Sequence, residues 1–530
     1  MAVNAVLIST YELGHQPFGL ASPAAWLRAR GAAVTCLDLS REPLRPDVIR
    51  KADLVAFYVP MHTATRLAAQ LVAPIRELNP RAHLCFYCLY APVNEEYLRS
   101  LGVETIIGGE FEEKLARLVD RLAEPGHGRG EAREIAARRY AAEPVISLDR
   151  LKFLVPDRSG LPPLHEYARL LMPGGQRRVA GYTEASRGCK HLCRHCPIVP
   201  VYNGVFRIVP REIVLEDIRR QVDAGAEHIA FGDPDFFNGP AHALAIVEAM
   251  HREFPRIGYD VIIKIEHLLR RPVEELEKLR DTGCLFVTSA VESLDDTVLA
   301  RLDKGHTRAD FLAVVRRFRA LGLLLQPTFV PFTPWTTLAG YRDLLEAIAG
   351  EDLIENVAPI QLGIRLLIPA GSRLLELGEV RDLVDAFAPS ALAYPWKHVD
   401  PRMDALAARV QHLAAEGDKL RLTRTETFAL IWQAACDGPQ PLALAAPAAI
   451  PHFSEPWYCC AEPTQEQFVS IAAAHPSGAL ELDAPYPATA MPQADIGADR
   501  HVDVDVDRGM NVDVDCGVNV DVDRDVDVLP

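Results

Sequence analysis

No stretch of the 530 residues is apolar for long enough to cross a bilayer; the most hydrophobic runs, 321–325 and 441–450, are short or broken by proline. The N-terminus also lacks a basic region followed by an apolar core and a small-residue cleavage site, and residues 5–9 read directly as a strand. Nothing there directs export, so a cytoplasmic location without membrane partners is the expectation. Positive charge is in deficit as well. A net charge of −16 argues against nucleic-acid partners, which need a concentrated basic surface. That deficit is concentrated at one end: residues 499–530 hold ten Asp against three Arg, a net of −7, so the body is only mildly acidic.

What is present is the composition of a globular chain, 49% hydrophobic and 24% charged, too long for one ordinary core. Eleven cysteines in a long chain without an export signal suit metal or redox chemistry better than a disulfide framework. Cys36, Cys284 and Cys436 read as buried structural thiols. Cys85 and Cys88, three apart near a strand, face opposite ways and make a poor chelating pair.

Residues 1–123 alternate compact apolar runs with helical patterns in five units, which predicts a doubly wound parallel sheet. Its ligand would sit beyond the carboxyl ends of the strands, near loops 11–19, 60–63, 90–94 and 108–110. Residues 124–178 read as a connector. From 179 to 370 a second α/β series follows, with strand candidates at 179–182, 228–231, 261–265, 285–289, 324–329 and 361–367. About six βα units predict a partial barrel with its chemistry at the carboxyl strand ends. Residues 371–490 read as helical and then loop-rich, and 491–530 as a low-complexity acidic tail of Val-Asp repeats.

The segment GCKHLCRHCP at 188–197 places Cys189, Cys193 and Cys196 at C-x3-C-x2-C directly after the first barrel strand. A zinc site usually takes four protein ligands, often as two separated pairs. Three thiolates on one loop can instead hold three irons of a [4Fe–4S] cubane and leave the fourth open to a small ligand. This segment resembles the radical S-adenosylmethionine (SAM) superfamily. The resemblance implies that the open iron chelates SAM, and that one electron cleaves it to a 5′-deoxyadenosyl radical able to abstract an unactivated hydrogen. It also implies an electron donor such as flavodoxin or ferredoxin.

Gly232, Asp233 and Pro234 end the second barrel strand, where relatives hold the SAM amino group; the same triplet is also an ordinary turn. Glu292 sits where relatives place a polar contact to SAM, or is a structural carboxylate. Lys264 and His267 stand near a strand end as cavity-lining candidates, although Lys264 could equally pair with Glu266.

A sheet domain before such a barrel resembles the cobalamin-binding class, implying cobalamin as a further cofactor and methyl transfer as a natural reaction. The lower-ligand motif D-x-H-x-x-G does not occur, and His15 lies in the first loop with unmatched flanks. HIAFGDPDFF (228–237), KIEH (264–267), KGHT (304–307), FTPW (332–335) and CCAEP (459–463) together resemble the CUAEP/CCAEP-tail radical SAM proteins, some of which carry selenocysteine in the tail. That resemblance makes Cys459 and Cys460 candidates for chalcogen chemistry, as nucleophile, hydrogen-atom donor, redox partner or soft ligand. The expected function is modification of a small molecule or peptide. A cobalamin-free radical SAM enzyme and a non-catalytic Fe–S or soft-metal protein are the competing readings.

The tail's Val-Asp repetition offers no credible core. Truncation after Pro492 is expected to leave iron content and the thermal midpoint at wild-type values, checked by iron analysis and calorimetry.

Overall fold

The structure, a computed structural model, describes residues 2–124, 145–436, 438, 440–442, 448–455 and 462–473. Cys459, Cys460 and the acidic tail lie outside the described residues. The first sheet contains β1 (Asn4–Ser9), β2 (Ala33–Asp38), β3 (Leu54–Tyr58), β4 (His83–Tyr87), β5 (Thr105–Gly109) and β6 (Ile146–Ser147). Their order is β2-β1-β3-β4-β5-β6, all parallel. Every residue of β3, β4 and β5 is buried, as runs covered by helices on both faces must be. One face packs on helices Phe18–Ala29 and Glu112–Leu122 through Leu20, Leu27, Leu115 and Val119. The other packs on His62–Gln70 and Val72–Leu78 through Leu67, Val72 and Ile75. The strand order reverses between β1 and β3, which opens a crevice at their carboxyl ends.

The second sheet is built from β7 (Arg169–Leu171), β8 (Arg177–Thr183), β11 (His228–Phe231), β12 (Gly258–Ile262), β13 (Cys284–Glu292), β14 (Leu325–Phe329) and β15 (His452–Phe453). A separate hairpin pairs β9 (Ser186–Gly188) with β10 (Phe206–Ile208). Strands β8, β11, β12, β13 and β14 run parallel as a curled half-barrel, and β7 and β15 extend its edge antiparallel. Capping fixes several helix starts. Thr307 and Asp310 form a reciprocal capping box, and Asp295 and Thr337 accept from first-turn amides.

The sixth barrel strand expected at 361–367 does not form. Residues Pro359–Gly363 make a 3-10 turn, and only Arg365 bridges to Phe332. Pro359 and Pro369 bracket the run and remove ladder donors at both ends. Helices Pro401–Lys419 and Arg424–Cys436 close that side instead, burying Met403, Val410, Phe428 and Ile431 in the barrel core. The segment expected as a connector supplies β6 to the first sheet and β7 to the second.

The carboxyl ends of the two sheets face each other across Arg187. Its guanidinium, 6% exposed, meets Glu112 at 2.6 Å, Glu184 at 2.8 Å and Glu110 at 3.4 Å. The rings of Phe18, Phe111 and Phe153 surround it at 5.2–5.6 Å. Tyr202 donates to Glu110 and Ser22 to Glu112. Burial pushes the Glu110 carboxyl up to about 7, with Arg187 holding it from rising further. Replacing Arg187 by Met would strand three carboxylates in the interface, at a cost of about 3–5 kcal/mol. Because a raised carboxyl takes up its proton as pH falls through 7, the loss should be largest near pH 8 and smaller near pH 6. Chemical denaturation of both proteins at the two pH values checks the sign.

Candidate active site

The loop carrying the three cysteines begins at Gly188, whose φ of +72° lies in the left-handed region. A side chain there would strike the Tyr202 ring and the Val205 carbonyl. Asn238 clasps the loop to the end of β11, donating to the Gly188 carbonyl at 3.2 Å and accepting from the Lys190 amide at 3.2 Å. On the far side the Arg194 amide donates to the Leu302 carbonyl at 2.9 Å, and Arg373 donates to the Leu192 carbonyl at 3.1 Å. Cys193 is buried and Cys189 and Cys196 are partly buried. Burial pushes the Cys189 thiol up to about 11 and raises Cys196 further, with Cys193 adding to the rise at Cys196. Thiols raised by burial, as Cys189 and Cys196 are, ionise readily only with positive charge to meet them.

Part of that charge is Lys304, 3% exposed. Burial works against its ammonium, but Glu292 and the Cys193 and Cys196 thiolates raise it above the ordinary lysine range. Glu292 Oε1 accepts from Lys304 Nζ at 3.2 Å and from His195 Nε2 at 3.1 Å. Despite burial, these two partners hold its carboxyl down to about 2. Glu292 adopts φ +69°, a strained conformation for a residue with a side chain, and it does so where β13 reaches the cysteine loop.

Gly232, Asp233 and Pro234 lie at the carboxyl end of β11, as expected, but Asp233 is committed elsewhere. Its oxygens accept from the Ser186 hydroxyl at 2.6 Å and the Ala185 amide at 2.9 Å. Burial pushes its carboxyl up to about 7 even so. Gly232 packs directly against the Tyr182 ring, an approach that a side chain would block.

Gly232 and Pro234 open onto a cleft between the two sheets. The first sheet contributes Leu13, His15, Met61 and Tyr90 to it, the half-barrel Tyr182, Phe286 and Thr288, and the C-terminal region Arg424 and Phe453. His15 stacks on Tyr182 with ring centroids 4.8 Å apart, and burial lowers it to about 4, so it is neutral at physiological pH. His62, the other histidine at these strand ends, pairs with Glu462 at 3.0 Å. Glu462 is one of the two described residues of the CCAEP segment, both following the two cysteines, and Arg66 also binds it. Lys264 pairs with Glu266 at 3.3 Å, and His267 stands 2.9 Å from Asp235.

Sequence reasoning did not single out Arg187, His195, Lys304 or Asp235. Lys304 and Asp235 fall within motifs already quoted, and His195 lies between two of the cysteines. The available signal was therefore position inside a motif, without an indication of partner.

Residues 183–333 match the family model described as the Radical SAM superfamily, so the half-barrel carries a Radical SAM domain. Among curated proteins, the chain is 25% identical over 329 residues to hopanoid C-3 methylase of Methylococcus capsulatus, covering 60% of this chain and 62% of that protein. It is 19% identical over 199 residues to the ribosomal protein uS12 methylthiotransferase RimO of Clostridium botulinum, covering 35% of this chain and 44% of that protein. The chain thus spans less than two thirds of either relative. The fold is similar to that of the cobalamin-dependent radical SAM enzyme OxsB with aqua-cobalamin bound. That match has a TM-score of 0.55 at 15% identity over 78% of this chain and 67% of OxsB. It is also similar to the radical SAM methyltransferase TsrM from Kitasatospora setae with tryptophan and a SAM analogue bound. There the TM-score is 0.54 at 18% identity, over 71% of this chain and 76% of TsrM.

The depressed Glu292 carboxyl gives a stability test. A carboxyl held at about 2 stabilises the fold above its unfolded value and loses that contribution as pH falls from about 4.5 toward 2. Glu292→Gln should therefore cost about 3 kcal/mol, nearly constant from pH 6 to pH 8, in denaturant titrations of the metal-free protein.

Proposed function

We propose that this chain is a radical SAM enzyme in which Cys189, Cys193 and Cys196 hold three irons of a [4Fe–4S] cluster. One observation carries the reading: three desolvated thiols share a clasped loop at the carboxyl end of a half-barrel, beside Lys304, within the segment matching the Radical SAM superfamily. The donor set suits the cluster, since thiolates prefer iron and other soft metals and three of them leave one iron position free. We place SAM against Gly232, Pro234 and Glu292. Cluster and SAM together supply one-electron cleavage of the sulfonium and hydrogen-atom abstraction.

The protein's own residues do the positioning. Lys304 offsets thiolate charge in a site that excludes most water, and Glu292 fixes Lys304 and His195 at once. Asp233 acts through Ser186 and Ala185, holding the corner between β8 and β9 from which the cysteine loop departs. Gly232 lets Tyr182 line the cleft floor.

The cleft between the sheets suits cobalamin and a small-molecule or peptide substrate. Its walls are mainly apolar, and it lies at the strand-order reversal where doubly wound sheets take ligands. Solved structures of OxsB and TsrM contain cobalamin, and that of TsrM contains tryptophan, which supports methyl transfer to a small molecule. His15 is held against Tyr182 and His62 by Glu462, which favours a corrin without a histidine lower ligand. A reduced donor of the flavodoxin or ferredoxin class would supply the electron. Cys459 and Cys460 remain candidates for acting on the activated product.

Anaerobic reconstitution should give about four irons per chain. Replacing the three cysteines by Ala should abolish both the cluster and 5′-deoxyadenosine formation, and continued 5′-deoxyadenosine production would sink the assignment. Corrin uptake is read separately by absorption; its absence would remove cobalamin while leaving the SAM reading intact.

A further inference from the structure

Behind the cysteine loop, three side chains from three different elements converge. His191 lies between Cys189 and Cys193, Asp235 follows β11, and His267 lies on the helix Ile265–Arg270 after β12. One ligand atom each of His191, Asp235 and His267 lies within 4.8 Å of the other two, the one such group of potential ligands among the described residues. Asp235 Oδ2 is 2.9 Å from His267 Nδ1 and 3.4 Å from His191 Nε2. Yet none of the three atoms has an aligned hydrogen-bond partner. Asp235 is 1% exposed and His267 8%, so water cannot freely compensate them.

Asp235 is also pre-oriented. Its Oδ1 accepts from the Phe237 amide at 3.0 Å, capping the short turn that follows, which leaves Oδ2 aimed at the imidazoles. The two rings stand 4.8 Å apart and tilted by 55°, so they flank a common point without stacking. The opposite nitrogen of His191, Nδ1, faces Lys264 at 3.3 Å and Glu266 at 3.6 Å. An ammonium only donates, so Nδ1 accepts from Lys264 as the chain stands; zinc at Nε2 would move the ring proton to Nδ1 and turn Lys264 to Glu266, with which it already pairs at 3.3 Å. Lys264 and Arg270 are paired with that same Glu266, which limits their repulsion of a cation.

We propose that His191, Asp235 and His267 form a binding site for one divalent metal ion of the zinc type, distinct from the three-cysteine loop. Two imidazoles and a carboxylate match the donors zinc takes, whereas magnesium and calcium prefer oxygen alone. Three protein ligands leave at least one position for water or for a carboxylate or carbonyl oxygen of a small molecule. The site stands on its own geometry and does not require the neighbouring loop to carry a cluster.

The test uses the full chain with its cluster loaded anaerobically, titrated with Zn2+ alone against a fluorescent chelator and then measured by zinc-edge X-ray absorption. One equivalent should bind with nitrogen and oxygen scatterers at about 2.0–2.1 Å and no sulfur. Asp235→Asn, which keeps the acceptor for Phe237, and His267→Gln should each weaken zinc binding by at least about tenfold with iron content unchanged. The Cys189, Cys193 and Cys196 triple Ala variant should still take up zinc, which separates this site from the cluster assignment. Sulfur scatterers at about 2.3 Å, no uptake, or loss of zinc binding in the triple variant would overturn the proposal. If Asp235→Asn fails to hold iron, His267→Gln decides alone, and wild-type zinc affinity there would overturn it.

Discussion

A single buried cation organises this molecule. Arg187 sits where the carboxyl ends of the parallel strands of the two sheets meet, and it satisfies carboxylates from both sides of the junction. Desolvating so many charges together is favourable only when each finds its partner, so the arrangement tolerates little relative sliding of the sheets. The aromatic collar of Phe18, Phe111 and Phe153 reinforces this by excluding water. The cleft is a consequence. The two sheets meet at their carboxyl ends around this cation, and the space beside it is lined by loops from both.

A second charged chain runs from the strained Glu292 through Lys304 to the cysteine thiols. The same carboxylate also holds His195, so one side chain orients both a cation and a member of the loop. Backbone strain at Glu292 persists because β13 on one side and these ion pairs on the other over-determine its position. Strain and buried charge coincide where the protein must hold reactive groups still, whereas the helices behind the sheet are ordinary apolar packing.

Much of this architecture is legible in the sequence. Five consecutive apolar residues at Leu54–Tyr58, set between helical patterns in a repeating α/β series, read as a covered parallel strand, and the cysteine spacing announces itself without a structure. The run at 361–367 misleads because apolar content alone does not distinguish a sixth strand from packed turns; the flanking prolines carried the missing information. Side-chain partnerships are a different matter. Arg187 and Glu112 are 75 residues apart, so no local pattern joins them. Asp233 and Asp235 look alike in a turn, yet one is consumed by Ser186 and Ala185 while the other faces two imidazoles. Which carboxylate is free is decided by where distant strands bring their donors.

The chain's return path bears on how the protein is made. Phe468 and Ile471, near the end of the described chain, are buried in the same apolar core as Leu67, Val72 and Ile75 of the first domain. Ribosomal synthesis delivers the first sheet several hundred residues before these two side chains exist, a delay on the order of tens of seconds. During that interval the amino-terminal domain carries an unfilled apolar groove. Its maturation is therefore tied to synthesis of residues 468–471, and a nascent chain stalled before residue 468 would expose that groove to chaperones and proteases.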